Sequence, residues 1–273
     1  MTLHLTRRLI AALTVIGAIC LFSVPVFADV RPGWDAYQRG DFGQAMTLWR
    51  GLADDGDARA QYNIGILYDQ GKGVARDATQ AVQWWRRSAE NGYAPAIHTL
   101  ANSLIAGDGV PQDYVEAVRW LTLGAEKEFS RSVYTLGKMY SYGLGVASDK
   151  ARATDLFERA AELGNARAQY NLARAYRDGD GVEQDFARAV QWYRQAARRG
   201  DAPAQAALGQ RYARGEGVPQ DNVMALYWTS LAAGQGLGRA IATREEMIAT
   251  LSPREIERAD QLVSQFHPLP TDE

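Results

Sequence analysis

Three short stretches carry residue types that ligand chemistry uses. GDGVPQD spans residues 107–113, GDGVEQD spans 179–185 and GEGVPQD spans 215–221. Carboxylates set between glycines are the material of a calcium loop, because calcium takes several oxygen ligands from a tightly turned backbone. Paired glycines are also the material of a phosphate cradle. Neither chemistry fits in detail. An EF-hand begun at Asp178 places Val182 and Ala189 at its fifth and twelfth positions, where oxygen ligands are needed. The equivalent loops at Gly71 and Gly143 have no acid between their glycines, and no Gly-Lys-Ser/Thr ending supports phosphate binding.

Other chemistry is equally unsupported. There is no His-Glu-x-x-His, Gly-x-Ser-x-Gly or Walker loop, and the one cysteine, Cys20, lies in an apolar N-terminal run. Beyond residue 28 the only histidines are His98 and His267, too few for a histidine-rich metal site. Paired acids such as Glu245 and Glu246 fall on polar helical stretches, where solvation explains them. The expectation is no catalytic residue, no cofactor and no metal, hence no enzyme.

The glycine pairs belong to a longer pattern. They fall at Gly71/Gly73, Gly107/Gly109, Gly143/Gly145, Gly179/Gly181 and Gly215/Gly217, in steps of 36 residues without drift. Asp77, Asp113, Asp149, Asp185 and Asp221 keep the same register, as do Ala81, Ala117, Ala153, Ala189 and Ala225. Trp84, Trp120, Leu156, Trp192 and Trp228 share one position, which marks them as packing residues rather than a sugar platform. A fixed period of this size means stacked supersecondary units. Each unit reads as two helices. In the first unit Ala60, Ile64 and Leu67 recur at helical spacing over 58–70, and the Gly-x-Gly-Val stretch stops that helix. Asp77 suits an N-cap for a second helix running to Glu90. Asp113 and Glu116 have capping-box spacing.

The run AQYNLARAYRDGDGVEQDFARAVQWYRQAARRG, residues 168–200, resembles a Sel1-like repeat, a relative of the tetratricopeptide repeats. Five units match in register: 58–93, 94–129, 130–165, 166–201 and 202–237. The resemblance implies an all-α fold, a right-handed solenoid of antiparallel helix pairs. Residues 29–57 look like a tetratricopeptide-type capping repeat, with Gly40-Asp41-Phe42 leading into Ala45, Trp49 and Ala53. Residues 238–273 look like C-terminal capping helices and a tail, with Ser252-Pro253-Arg254-Glu255 as a helix start. Cysteine-rich branches of the family are linked to β-lactams; this chain lacks those cysteines, so that activity is not expected.

Residues 1–28 have a basic start at Arg7 and Arg8, an apolar run, and Val26-Phe27-Ala28 before a predicted cleavage point. They read as a secretory signal peptide, which predicts a periplasmic or secreted protein. The run is also long enough to stay as an anchor, although Pro25 and the Val-Phe-Ala site favour cleavage. The whole chain carries a net charge of −2, which argues against nucleic acid as partner. Hydrophobic residues make up 47%, enough for a core.

The resemblance places partners on the concave surface, lined by the first helix of each pair. Its expected contact residues are Arg59, Tyr62, Asn63, His98, Arg131, Tyr134, Lys138, Arg167, Tyr170, Asn171 and Arg174. Arg, Tyr and Asn suit the carboxylates and amides of an extended peptide. The expected function is an exported monomeric scaffold or adaptor that captures a peptide or protein, serving envelope signalling or host contact. A glycan- or peptidoglycan-binding module, or a wall-acting enzyme, is the alternative. The tail, Pro268 to Glu273, is a candidate to fill the same groove.

Overall fold

The computed structural model describes residues 29–270. The expected signal peptide and its cleavage site after Ala28 lie outside the described residues, as does the acidic end of the tail. Among the described residues there are fourteen helices and no strand. They are α1 (Arg31–Gln38), α2 (Phe42–Asp54), α3 (Ala58–Gln70), α4 (Ala78–Glu90), α5 (Ala94–Ala106), α6 (Tyr114–Glu126) and α7 (Ser130–Tyr142). Then come α8 (Lys150–Glu162), α9 (Ala166–Asp178), α10 (Phe186–Arg198), α11 (Ala202–Arg214), α12 (Asn222–Gly234), α13 (Gly238–Thr250) and α14 (Pro253–Ser264). Each helix from α1 to α12 packs on the next, so the chain is an α-solenoid. None of them is long and apolar enough to cross a membrane.

The five pairs from α3/α4 to α11/α12 are punctuated identically. The first helix ends on a glycine in the left-handed region, with φ of 65° at Gly71 and 68° at Gly143. The Asp that opens the second helix accepts from the N–H three residues on, at 3.0 Å for Asp77 and 2.9 Å for Asp149. Its own N–H donates back to the first helix, at 2.9 Å from Asp77 to the Tyr68 carbonyl. The loop is thereby tied at both ends. The capping box expected at Asp113 is only half formed. Asp113 accepts from the Glu116 N–H at 2.8 Å, but the Glu116 carboxylate turns outward to Arg86 and the Trp120 indole. A cation on α4 outcompetes one neutral backbone amide. At Ser252 and Glu255 the reciprocal box is complete.

Neighbouring units meet at the second glycine. A Cβ added to Gly145 would lie 2.3 Å from the Tyr114 carbonyl oxygen, at the start of α6 in the preceding unit. Gly109 meets Ala78, Gly181 meets Lys150 and Gly217 meets Phe186 in the same way. Within a unit, a small residue of the first helix faces a large one of the second. Gly65 lies under Trp85 and Gly137 under Phe157, while Leu121 and Tyr193 are fully buried at the equivalent second-helix position. The deepest aromatic series is therefore the neighbour of the recurring Trp84 position. Trp84 and Trp228 are buried, but Trp120 and Trp192 only partly so. Buried glutamines add polar ties between units. Gln61, Gln169 and Gln205 donate to the carbonyls of Ala53, Ala161 and Ala197 at 3.1, 3.2 and 3.1 Å.

At the C-terminal end α14 packs chiefly against α12 rather than following α13 in the stack. The tail continues along the second helices. Leu269 donates its N–H to the Arg198 carbonyl at 2.8 Å, and Phe266 stacks edge-on against Trp228. The described part of the tail thus lies at α10 and α12 and does not enter the surface of the first helices.

Gly145→Ala should lower stability by about 3 kcal/mol or more, because the methyl collides with backbone that cannot rotate away. Gly40→Ala, with φ of 80° and nothing within 4 Å, should cost only about 1 kcal/mol of left-handed strain. Urea unfolding followed by circular dichroism measures both; equal losses would refute the packing role of the second glycine.

Candidate binding groove

The first helices stand side by side, and because the period is constant, equivalent residues form rows across them. Arg131, Tyr134 and Lys138 fall on one face of α7, at helical spacings. Arg167, Tyr170 and Arg174 repeat that face on α9. A cleft of about 580 Å³ crosses α5, α7 and α9 and is walled by His98, Arg131, Tyr134, Lys138 and Arg167. A second of about 300 Å³ lies between α7, α8 and α9 and includes Asn171 and Arg174. Both are lined by Tyr134, Lys138 and Tyr142 of α7, so the two clefts adjoin along that helix.

Eight of the eleven expected contact residues are brought to this groove or its edge. Tyr134 stacks on Phe157 with ring centroids 5.8 Å apart, and its hydroxyl accepts from Asn171 Nδ2 at 3.3 Å. Burial raises its pKa. Lys138 Nζ lies 5.9 Å from the Tyr134 ring centroid. Tyr170 sits beside the groove, its ring 5.8 Å from that of Tyr193, and lines neither cleft. The three residues of α3 are not brought in. Arg59 pairs with Asp57 at 3.0 Å and Tyr62 packs edge-on against Tyr93. Asn63 is only 3% exposed, so this expected contact residue faces the interior and is withdrawn from the surface. Its repeat equivalents Thr135 and Asn171 line the clefts, so the helix face is the same; at α3 neighbouring groups cover the position.

The charge in the groove is unbalanced. No carboxylate among the described residues lies within ion-pairing distance of Arg131, Lys138, Arg167 or Arg174. Other cations nearby are neutralised: Arg177 pairs with Asp178 at 2.6 Å and Lys150 with Asp180 at 3.1 Å. The larger cleft is lined by three of the four open cations and by no acid. His98 adds no charge. Burial, and then the adjacent Arg131, lower its pKa to about 4. It sits 3.3 Å from Thr135 Oγ1 and edge-on to Phe129. No group of three or more His, Cys, Asp or Glu that could hold a metal occurs among the described residues.

Tyr142 was missed by the sequence reading. It lines both clefts and is 67% exposed, well above the other large hydrophobic residues left at the surface. The available signal was its register: the equivalent residues are Gln70, Ala106, Asp178 and Arg214, so it is the one aromatic at a position that packing does not require.

The Sel1 repeat family model matches residues 58–93, 94–129, 130–165, 166–201 and 202–237, and the chain belongs to that family. Among solved structures, it is similar to a Sel1 repeat protein from Oxalobacter formigenes, with 32% identity and a TM-score of 0.75 over 88% of this chain and 100% of that one. It is also similar to a protective antigen present in uropathogenic Escherichia coli strains and displaying an SLR fold. There the identity is 30% and the TM-score 0.77, over 85% of this chain; this chain spans 51% of the antigen. An immunity protein from Pseudomonas aeruginosa, at 22% identity and a TM-score of 0.50 over 78% of this chain and 88% of that one, shares the fold alone. No curated protein matches the chain.

A histidine whose pKa is lowered on folding stabilises the protein above its unfolded pKa and loses that contribution as pH falls through the folded one. For His98 the window runs from 6.5 down to about 4. His98→Gln should therefore flatten the fall in melting temperature across that window. An unchanged slope would show that His98 takes up its proton in the fold as readily as in the unfolded chain.

Proposed function

We propose that this chain is an exported interaction scaffold that holds an extended segment of a partner protein in the groove across α5, α7 and α9. Sel1 repeat proteins generally mediate protein–protein interaction. The observation that carries the reading here is the pair of adjoining clefts with four cations that lack carboxylate partners among the described residues, beside one bare aromatic ring. A concave cluster of like charge raises the local concentration of a ligand of the opposite sign. Export rests on residues 1–28, with a basic start, an apolar run and a small residue at the cleavage point. The description of one relative as a protective antigen accords with a life outside the cytoplasm.

The geometry disfavours the wall-acting enzyme, because general acid–base cleavage of a glycosidic bond uses two facing carboxylates; the larger cleft has none in its lining, and the two in the adjoining cleft, Asp178 and Asp180, are paired with Arg177 and Lys150. A glycan-binding module keeps some support, since an exposed tyrosine such as Tyr142 is a stacking surface for a sugar ring.

The test is affinity capture from solubilised envelope extract on the full chain and on a Lys138→Ala/Tyr142→Ala form. Both side chains are exposed, so the variant should unfold normally while losing most of a specifically held partner, at least about tenfold in recovery. Equal recovery would move the binding surface elsewhere, and retention of an arrayed glycan instead of a protein would favour the sugar-binding reading.

A further inference from the structure

The groove has a chemical preference that its scaffold role does not require, and the following rests on the groove being the binding surface. Arg131 and Lys138 lie seven residues apart on α7, which is about 10 Å along the helix. Arg167 and Arg174 repeat the pair on α9, the next first helix along the chain. The step from Arg131 to Lys138 along α7 matches about three residues of extended chain, at roughly 3.3 Å each. The cleft lined by Arg131, Lys138 and Arg167 also carries the apolar surface of Ile105, Leu144 and Tyr142.

The cations are held open by the fold. The acids nearest to them are committed elsewhere: Asp178 to Arg177, Asp180 to Lys150. Asp201 accepts from the Ala204 N–H as an N-cap, and burial raises its pKa. His98, the imidazole in the larger cleft, is kept uncharged at neutral pH by burial and Arg131. A concave, partly desolvated wall of one sign raises the local concentration of the opposite sign. The surrounding chain is net acidic at −2, so a long polyanion would meet repulsion beyond the cleft, whereas a short acidic segment would not.

We propose that the groove selects an extended acidic peptide segment, its carboxylates on Arg131, Lys138 and Arg167 and an apolar side chain beside them on Ile105, Leu144 and Tyr142. Arginine forks grip carboxylates through paired N–H donors, and acids spaced about three residues apart match the step of about 10 Å from Arg131 to Lys138 along α7. A lysine at position 138 and arginines at 131 and 167 leave an uncharged or basic segment with no counter-charge and a desolvation cost.

The test is selection of a short random-peptide library on the full chain, followed by fluorescence anisotropy of the selected peptides. Enrichment of Asp and Glu flanking an apolar residue is expected. Replacing the acids by Asn and Gln should weaken binding at least about tenfold. Lys138→Glu and Arg131→Glu, both at exposed positions, should do the same, and raising salt should weaken wild type more than either variant. Selected peptides with no acidic enrichment, yet lost with Lys138→Ala/Tyr142→Ala, would overturn this preference and leave the groove reading standing. If no peptide is selected, both fall. Displacement of a selected peptide by a single-stranded oligonucleotide more readily than by a second acidic peptide would assign the cations to phosphate and overturn the inference.

Discussion

A carbonyl oxygen of one unit occupies the place where the next unit's loop would carry a Cβ. That contact, made by Gly109, Gly145, Gly181 and Gly217, is the constraint on which the rest of the solenoid depends. A methyl group there would hold the units apart by more than a packed interior tolerates. The glycine must therefore arrive at the same point of every unit, and the aspartate that follows must cap the second helix from a fixed distance. A period of 36 residues without drift is the outcome. The first helices then stand in strict register, and any residue placed on their open face recurs one helix further along.

The groove follows from that register. Arg131 and Arg167 are equivalent residues, as are Lys138 and Arg174, so two substitutions per unit are enough to make a patch of four cations. The scaffold tolerates them because this face takes no part in the stack. The same positions elsewhere are used differently. Arg59 is tied to Asp57, and Pro95 and Pro203 serve as first-turn prolines of α5 and α11. Units that share a skeleton thereby divide their labour: the outer pairs serve the ends, and the third and fourth carry the exposed charge.

How much was legible varied with the range of the interaction. Helix ends were readable because they are set by neighbours in sequence: Gly71 stops α3 and Asp77 starts α4, where the glycine and aspartate stand. The box at Asp113 was misjudged because a long-range partner, Arg86, decided where Glu116 points. Asn63 was misplaced because its register matches Thr135 and Asn171, which line the clefts, and only the assembled structure shows that the position is covered on α3. Tyr142 was passed over because its role depends on two clefts that exist only once α5, α7, α8 and α9 are assembled. The buried ties of Gln61, Gln169 and Gln205 carried no distinguishing mark, since a polar residue on a helix reads as exposed until the preceding helix covers it.

The sequence by itself determined the repeating pair of helices, their caps and their number. These are matters of backbone conformation and short-range hydrogen bonding, which particular residue types impose wherever they occur. It also determined that basic and aromatic residues recur on the first helices of the third and fourth units. Only the tertiary structure decided which of those side chains lack a counter-ion. Ion pairing here reaches across units, as from Arg86 to Glu116 and from Lys150 to Asp180, and it depends on distances that no local pattern encodes. The same assembly set the two clefts side by side and laid the described part of the tail along α10 and α12. A surface of this kind is the sum of faces from separate helices, and its charge and shape exist only where their packing brings those faces together.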